Sequence, residues 1–337
     1  MRVDEFRYDL PDSAVAQQPA EPRHAARLLD TRSMSDHTFG DLPNLLREGD
    51  LVVINNTRVR KARLRGRKAE TGARVELLIL DRTANGSWKA MIRPSRRIRP
   101  GTVVEFDGFG ATIVDGPDDG IVTVVLDASD AEEAFEEVGE VPLPPYFTGH
   151  LPDPGRYQTM FARAVGSAAA PTAGLHFTPE VVAGLGRRKI EIAEVELHVG
   201  MDTFRPMSTD TIEQHVMHSE WCSVPKATAD AVARTRRVGA RVVAVGTTTA
   251  RTLETFAGSG GNVRHGQTDT NLFLSPGSDF QVVDLMVTNF HVPGSTLVVM
   301  IAAFMGDLWR VAYQEAMERS YRFLSFGDAM LCEREEG

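Results

Sequence analysis

The chain has 337 residues, 42% hydrophobic and 25% charged, the composition of an ordinary soluble globular protein long enough for two domains. Its longest apolar run, Leu297 to Met305, is far short of a membrane span, and the acid-bearing start MRVDEFRYDL has no signal-peptide core, so a cytoplasmic protein is expected. Two cysteines, Cys222 and Cys332, match neither a disulfide framework nor a zinc or iron–sulfur motif, and the net charge of −9 argues weakly against nucleic acid as a partner.

Residues 1 to 49 mix short helical and loop signals, punctuated by Pro11, Pro19 and Pro22. DLVVINNTRV, from Asp50, is a buried-strand run ending in Asn55, Asn56 and Thr57. RVRKARLRGRK follows, with Lys61, Arg63, Arg65 and Arg67 on one face of an extended strand and Ala62, Leu64 and Gly66 on the other. The short strands ARVELLIL, WKAMIRP, TVVEF, ATIV and IVTVVL come next, most of them separated by turn signals at Asn85-Gly86, Pro100-Gly101 and Asp119-Gly120. That pattern predicts a small β-barrel over residues 60–151. An acidic helix around Asp130 to Val138 and the proline run VPLPPY lead out of it.

Charge is segregated within this region. Between Arg60 and Pro100 there are 13 Lys and Arg against three acids, whereas between Gly101 and His150 there are 12 acids and no base. Such an arrangement makes a local field that the total conceals. With opposing acids nearly absent from the basic segment, ion pairing within it does not explain the cluster. It reads either as a phosphate-binding face or as an edge strand guarded against pairing.

After Leu151 strands alternate with helices, which means an α/β sheet. In AAAPTAGLHFTPE, Thr178-Pro179-Glu180 reads as N-cap, N1 proline and first-turn acid, so His176 sits just ahead of a helix N-terminus, a natural seat for an anion. IEIAEVELHV alternates from Ile190 to Val199 and delivers His198 at its carboxyl end. RVVAVG runs into TTTARTLETF, VVDLMVTNF runs through HVPGS into a long helix, and YRFLSF is read as a strand ending at Gly327-Asp328. Because DLVVINN resembles these strands, residues 1–59 and 152–337 are expected to form one discontinuous α/β domain, an α/β sandwich, with the barrel inserted.

Five predicted strands thus finish in polar residues: Asn55 and Asn56, His198, Thr247 to Thr249, Asn289 with His291, and Asp328. Ligands of open α/β sheets bind beyond the strand carboxyl ends. The plain alternative is that strand ends are loops and loops are polar. His215 and His218, three apart, have metal-ligand spacing, but no acid–histidine pattern supports them and no metal is expected.

Together DLVVINNTRV, VPLPPY, RYQTMFA, AAPTAGLHF, LHVGMDTFRP, MHSEW, AVGTTTARTLE, VTNFHVPGSTL and YRFLSFGDAM resemble, in order and spacing, the S-adenosylmethionine:tRNA ribosyltransferase-isomerase (QueA) family over essentially the whole chain. Asp202, where the family usually has glycine, and Gly294, in place of a commonly larger polar residue, depart from it. The resemblance implies an α/β domain interrupted by a β-barrel. It also implies transfer and isomerisation of the ribosyl part of S-adenosylmethionine onto 7-aminomethyl-7-deazaguanine (preQ1) at the tRNA wobble position. Epoxyqueuosine forms, adenine and methionine leave, S-adenosylmethionine is consumed as a substrate, and no cofactor is required.

Under that resemblance His176 or His198 would take a C5′ proton acidified by the sulfonium, the other would protonate departing adenine, and Asp328 is a third catalytic candidate. Asn289 and Asn55 would hold ribose hydroxyls or the adenine edge. Arg251 or Arg205 would hold the methionine carboxylate, shared with the turn after Thr247, while Thr172 and His291 complete the substrate-binding set. Lys61, Arg63, Arg65 and Arg67 would meet phosphates of the anticodon arm, with Trp88, Tyr146 and Phe147 stacking on its bases. A monomer is expected. Rival readings are an S-adenosylmethionine-dependent tRNA methyltransferase, disfavoured by the missing glycine-rich turn after an N-terminal strand, and a non-catalytic tRNA-binding protein, which needs no histidines at strand ends. A metal hydrolase built on His176, His198, His215, His218 or His291 is the remaining alternative.

Overall fold

The computed structural model describes residues 1–83, 85–148, 151, 153–200 and 206–335. They divide into two compact units, one of residues 1–58, 144–164 and 170–337, the other of residues 59–143 and 165–169.

The larger unit is built on a nine-stranded mixed sheet. Its spatial order is Gly266–Thr270, Glu220–Val224, Glu191–Leu197, Leu51–Asn55, Val242–Val245, Leu285–Asn289, Ala329–Glu333, Arg27–Asp30 and Ser35–Thr38. The four strands from Glu191–Leu197 to Leu285–Asn289 run parallel. LVVIN, VVAV and LMVTN are buried at every position, as strands covered on both faces must be. On one face Val52, Ile54, Val243, Val245 and Val287 pack with Phe39, Leu42 and the helix Pro179–Arg187, through Val181 and Leu185. Helices Lys226–Arg237 and Thr247–Thr255 lie against the same strands and bury Ala231, Val232, Ala250 and Leu253. The apolar run after Ser295 is the core helix Thr296–Met305, buried almost all round, and among the described residues no single helix is long and apolar enough to cross a membrane.

One expected strand is absent. Tyr321 to Phe326 turns rather than extends, with Leu324 at φ +69°. Its aromatic residues are buried by ring packing, Phe323 at 4.8 Å and Tyr321 at 5.7 Å from Phe290, and not by the alternation of a pleat. The strand begins instead at Ala329 and runs antiparallel to Leu285–Asn289, with Ala329 opposite Asn289. Asp328 therefore precedes a strand, yet the antiparallel pairing carries it to the carboxyl end of the neighbouring one.

The smaller unit is a closed antiparallel barrel of six strands, in the order Ile121–Asp127, Trp88–Arg93, Arg74–Arg82, Arg63–Lys68, Val103–Glu105 and Gly110–Asp118. Alternate residues Leu64, Leu77, Ile79, Ala90, Ile92, Val104, Ile113, Val122 and Val124 fill it. Gly66 lets two strands meet, since a Cβ there would lie 2.6 Å from the Glu105 carbonyl oxygen and 2.7 Å from the Phe106 ring. The acidic helix Ala131–Val138 is capped by Asp130, which accepts from the backbone N–H groups of Glu132 and Glu133, and it lays Phe135 edge-on to Trp88 at 5.3 Å.

Candidate active site

Asn289 ends the Leu285–Asn289 strand and joins three segments that lie far apart in the sequence. Its Oδ1 accepts from Thr172 Oγ1 at 2.8 Å, and its Nδ2 donates to the Asp328 carbonyl oxygen at 3.2 Å. A carbonyl can only accept, so the orientation of the amide is fixed. Nδ2 also lies 3.2 Å from His176 Nε2, which must then accept, leaving the proton of a neutral ring on Nδ1. Burial lowers the His176 pKa to about 4, outweighing the opposing pull of the Asp328 carboxylate. His176 closes the Thr172–His176 3-10 turn and is buried beside Phe39, ring centroids 5.0 Å apart.

Two adjoining cavities share Thr172, Asn289, His291 and Leu297. The first is walled also by Tyr146, Ser295, Leu324 and Ser325, the second by Pro171, Val199, Gly246, Thr247, Thr248 and Thr288. Each cavity meets the start of a helix. Ser295 Oγ caps Thr296–Met305 by accepting from the Val298 N–H at 3.5 Å. Gly246 precedes Thr247–Thr255, whose first N–H groups lack an intrahelical acceptor and carry the positive end of the dipole. His291 is the imidazole that borders both cavities. Its Nε2 lies 2.9 Å from Thr288 Oγ1, its backbone N–H donates to Tyr313 Oη at 3.1 Å, and burial lowers the ring's pKa to about 3. Tyr8 donates to the His291 carbonyl, and Tyr146 pairs with Ser325 Oγ, burial pushing the Tyr146 phenol up to about 12.

The other sequence-selected residues are engaged elsewhere. His198 borders neither cavity: it shares a face with Glu196, whose Oε1 is 2.8 Å from its Nε2, and packs on Trp221 at 4.7 Å. The Asp328 carboxylate accepts from the N–H groups of Arg27 (3.0 Å) and Arg322 (2.8 Å) and pairs with the Arg322 guanidinium at 3.2 Å. Asn55 stitches strands, donating to the Leu197 carbonyl at 3.0 Å and accepting from the N–H groups of Leu197 and Thr57. Arg251 is buried in an ion pair with Glu220 (2.7 Å) and donates to the Thr270 carbonyl at 3.2 Å, while Glu220 Oε1 accepts from the Gly200 N–H at 2.6 Å. Arg205 and Asp202 lie outside the described residues. Gly294 has φ +69°, which glycine adopts without strain. Tyr146, Ser295 and Ser325 are cavity residues that the strand-end pattern does not pick out, although all three stand in the motifs VPLPPY, VTNFHVPGSTL and YRFLSFGDAM; Thr248 belongs to the expected set Thr247 to Thr249.

The sequence matches the queuosine biosynthesis protein family over residues 3–332. It is 47% identical to an S-adenosylmethionine:tRNA ribosyltransferase-isomerase of Symbiobacterium thermophilum, over 98% of this chain and 99% of that protein. A protein of the same name from Heliobacterium modesticaldum is 46% identical over the same shares. The crystal structure of an S-adenosylmethionine tRNA ribosyltransferase from Thermotoga maritima superposes with a TM-score of 0.55 at 36% identity, covering 97% of this chain and 99% of that one. The chain belongs to the queuosine biosynthesis protein family.

This member of the family carries its basic strand in altered circumstances from those the sequence suggested. Lys61 pairs with Glu136 at 3.2 Å, Arg63 with Glu76 at 3.8 Å and Arg65 with Glu140 at 3.0 Å, while Arg60 grips Glu132 at 2.6 Å. Three of these acids, Glu132, Glu136 and Glu140, come from the following acidic block and the fourth, Glu76, from the basic segment itself, so internal pairing does account for much of the cluster. Among the described residues Arg67 forms no ion pair and donates to a backbone oxygen, that of Gly72, at 3.0 Å. Trp88, buried beneath Phe135, is not presented for base stacking. Among the described residues no three His, Cys, Asp or Glu side chains are placed to hold a metal ion.

Proposed function

We propose that this chain transfers and isomerises the ribosyl moiety of S-adenosylmethionine onto preQ1 at the tRNA wobble position, releasing adenine and methionine and leaving epoxyqueuosine. Membership of the family supports the reaction. The observation that carries its location is the convergence of Asn289, Thr172 and His291 on two adjoining cavities, each of which meets a helix N-terminus. The methionine carboxylate sits at the first turn of Thr247–Thr255, where free N–H groups and the dipole favour an anion. Arg251 is a weaker candidate for that task, because its guanidinium is already paired with Glu220. Ribose hydroxyls donate to the remaining lone pairs of Thr172 Oγ1 and Asn289 Oδ1, because both Asn289 amide hydrogens are already taken by the Asp328 carbonyl and the His176 ring.

His291 is the proton acceptor in this scheme. The sulfonium acidifies the adjoining C5′–H, and His291 borders both cavities with its ring unprotonated; the burial that keeps it so also weakens it as a base, so the driving force for the transfer comes from the acidity of the C–H. The proton it takes returns to adenine as the glycosidic bond breaks, so the ring ends as it began. His176 does not touch the substrate; it holds Asn289 in place. We take the protein to act as a cytoplasmic monomer, which sedimentation of the purified chain tests.

The deciding experiment is incubation with S-adenosylmethionine and preQ1-bearing tRNA, with products scored by mass. The proposal requires adenine and epoxyqueuosine in equal amounts. S-adenosylhomocysteine without adenine would establish a methyltransferase, and no turnover would leave only a binding protein.

A further inference from the structure

We propose that the outer face of the barrel strands Arg63–Lys68, Arg74–Arg82 and Trp88–Arg93 docks the phosphate backbone of the tRNA, through Arg67, Arg74, Arg93, Arg96 and Arg97. The inference rests on the tRNA reading above and moves the contact away from the paired residues Lys61, Arg63 and Arg65. Strand register sets the face. Arg65 stands opposite Glu76 and Glu76 opposite Arg93, while Arg67 stands directly opposite Arg74. The intervening residues Leu64, Val75, Leu77 and Ile92 point into the barrel and are buried. The arginine side chains therefore share the outer surface.

Three observations separate this face from a merely solvated one. Arg67, Arg74, Arg93, Arg96 and Arg97 are exposed and form no ion pair among the described residues, although acids elsewhere in the barrel neutralise Lys61, Arg63 and Arg65. Two like charges placed directly opposite across an antiparallel pair destabilise the sheet, so Arg67 and Arg74 oppose folding rather than assist it. The loop that carries Arg96 and Arg97 is tied to the same part of the barrel by Lys68 Nζ, which donates to the Arg97 carbonyl at 2.9 Å. Protection of an exposed strand edge does not explain the charge, because the barrel is closed and Arg63–Lys68 is paired on both sides. The phosphate backbone of an RNA supplies the missing counter-charge, with no demand for base readout.

The test compares the parent, Arg67→Ala/Arg74→Ala, Arg96→Ala/Arg97→Ala and Arg65→Ala for binding of preQ1-bearing tRNA across a salt series, alongside melting and adenine release. Each double variant should bind on the order of tenfold more weakly near 0.1 M salt and flatten the log–log salt slope by roughly 1.5 to 2, two contacts' worth. Arg65→Ala should change the slope by less than half as much. The Arg67/Arg74 variant should melt no lower than the parent, because it relieves a like-charge pair. Its KM for S-adenosylmethionine should be unchanged. Parent-like slopes in both double variants, with a parent that binds tRNA and releases adenine, would overturn this docking face while leaving the proposed function intact. A parent that does neither would remove the function on which the inference rests.

Discussion

His176 gives the sharpest thermodynamic prediction. It is 5% exposed, accepts a hydrogen bond from Asn289 and has a pKa lowered by burial to about 4. In the unfolded chain the same ring would titrate near ~6.5. Between those values the unfolded state binds a proton that the folded state refuses, so stability is complete above about pH 6.5 and falls as the pH drops toward 4. From pH 7.5 to pH 5 the loss from this one residue is about 2 kcal/mol. His176→Gln removes the titration while offering Asn289 an amide oxygen in place of the ring nitrogen. Its deficit in unfolding free energy, measured by denaturant titration at pH 7.5, 6 and 5, should therefore shrink by about 2 kcal/mol across the series, the His291 contribution cancelling in the comparison. A deficit that does not change with pH would mean that His176 protonates freely in the folded protein. A deficit that widens in acid would mean that the native ring is an imidazolium held by Asp328, and the hydrogen-bond assignment at Asn289 would be wrong.

Three further outcomes follow from the same contacts. Thr172→Val removes the donor to Asn289 Oδ1 and should lower kcat/KM roughly tenfold, about 1.4 kcal/mol, with melting within a few degrees of the parent. Asp328→Asn weakens a clamp on two N–H groups and a guanidinium, and should cost about 1–3 kcal/mol of stability while the folded enzyme keeps most of its turnover; a large loss of turnover with unchanged melting would restore it as a base. Glu220→Gln leaves the Arg251 guanidinium buried without its counter-charge and should lower stability by about 3–5 kcal/mol, read by denaturant titration.

Much of the fold is legible in the sequence. LVVIN and VVAV are apolar throughout because both their faces are covered, and the alternation of RLRGRK and IVTVVL follows from one face lining a barrel. YRFLSF misled because aromatic burial by ring packing has the same composition as a strand. The histidines show what strand ends alone do not decide. In IEIAEVELHV the apolar set Val195, Leu197 and Val199 faces inward, so His198 had to fall on the side of Glu196; that parity was in the sequence. His291 lies beyond the end of its strand, where the chain has left the pleat and parity gives no guidance. The pairing of Arg65 with Glu140 across 75 positions was equally out of reach, because a count of acids within a segment says nothing about which other segment folds onto it.

His291 is the imidazole among the four residues that border both cavities, and its role as proton acceptor is the central claim. The measurement is adenine release in a single turnover with preQ1-bearing tRNA, for the parent, His291→Gln and His198→Ala, with S-adenosylmethionine affinity measured separately. Loss of a proton acceptor should slow His291→Gln by on the order of 10²-fold or more while affinity changes only a few-fold, and His198→Ala should stay within a few-fold of the parent. Near-parental release by His291→Gln, with release abolished in His198→Ala, would contradict it and place the chemistry on the other face of the sheet.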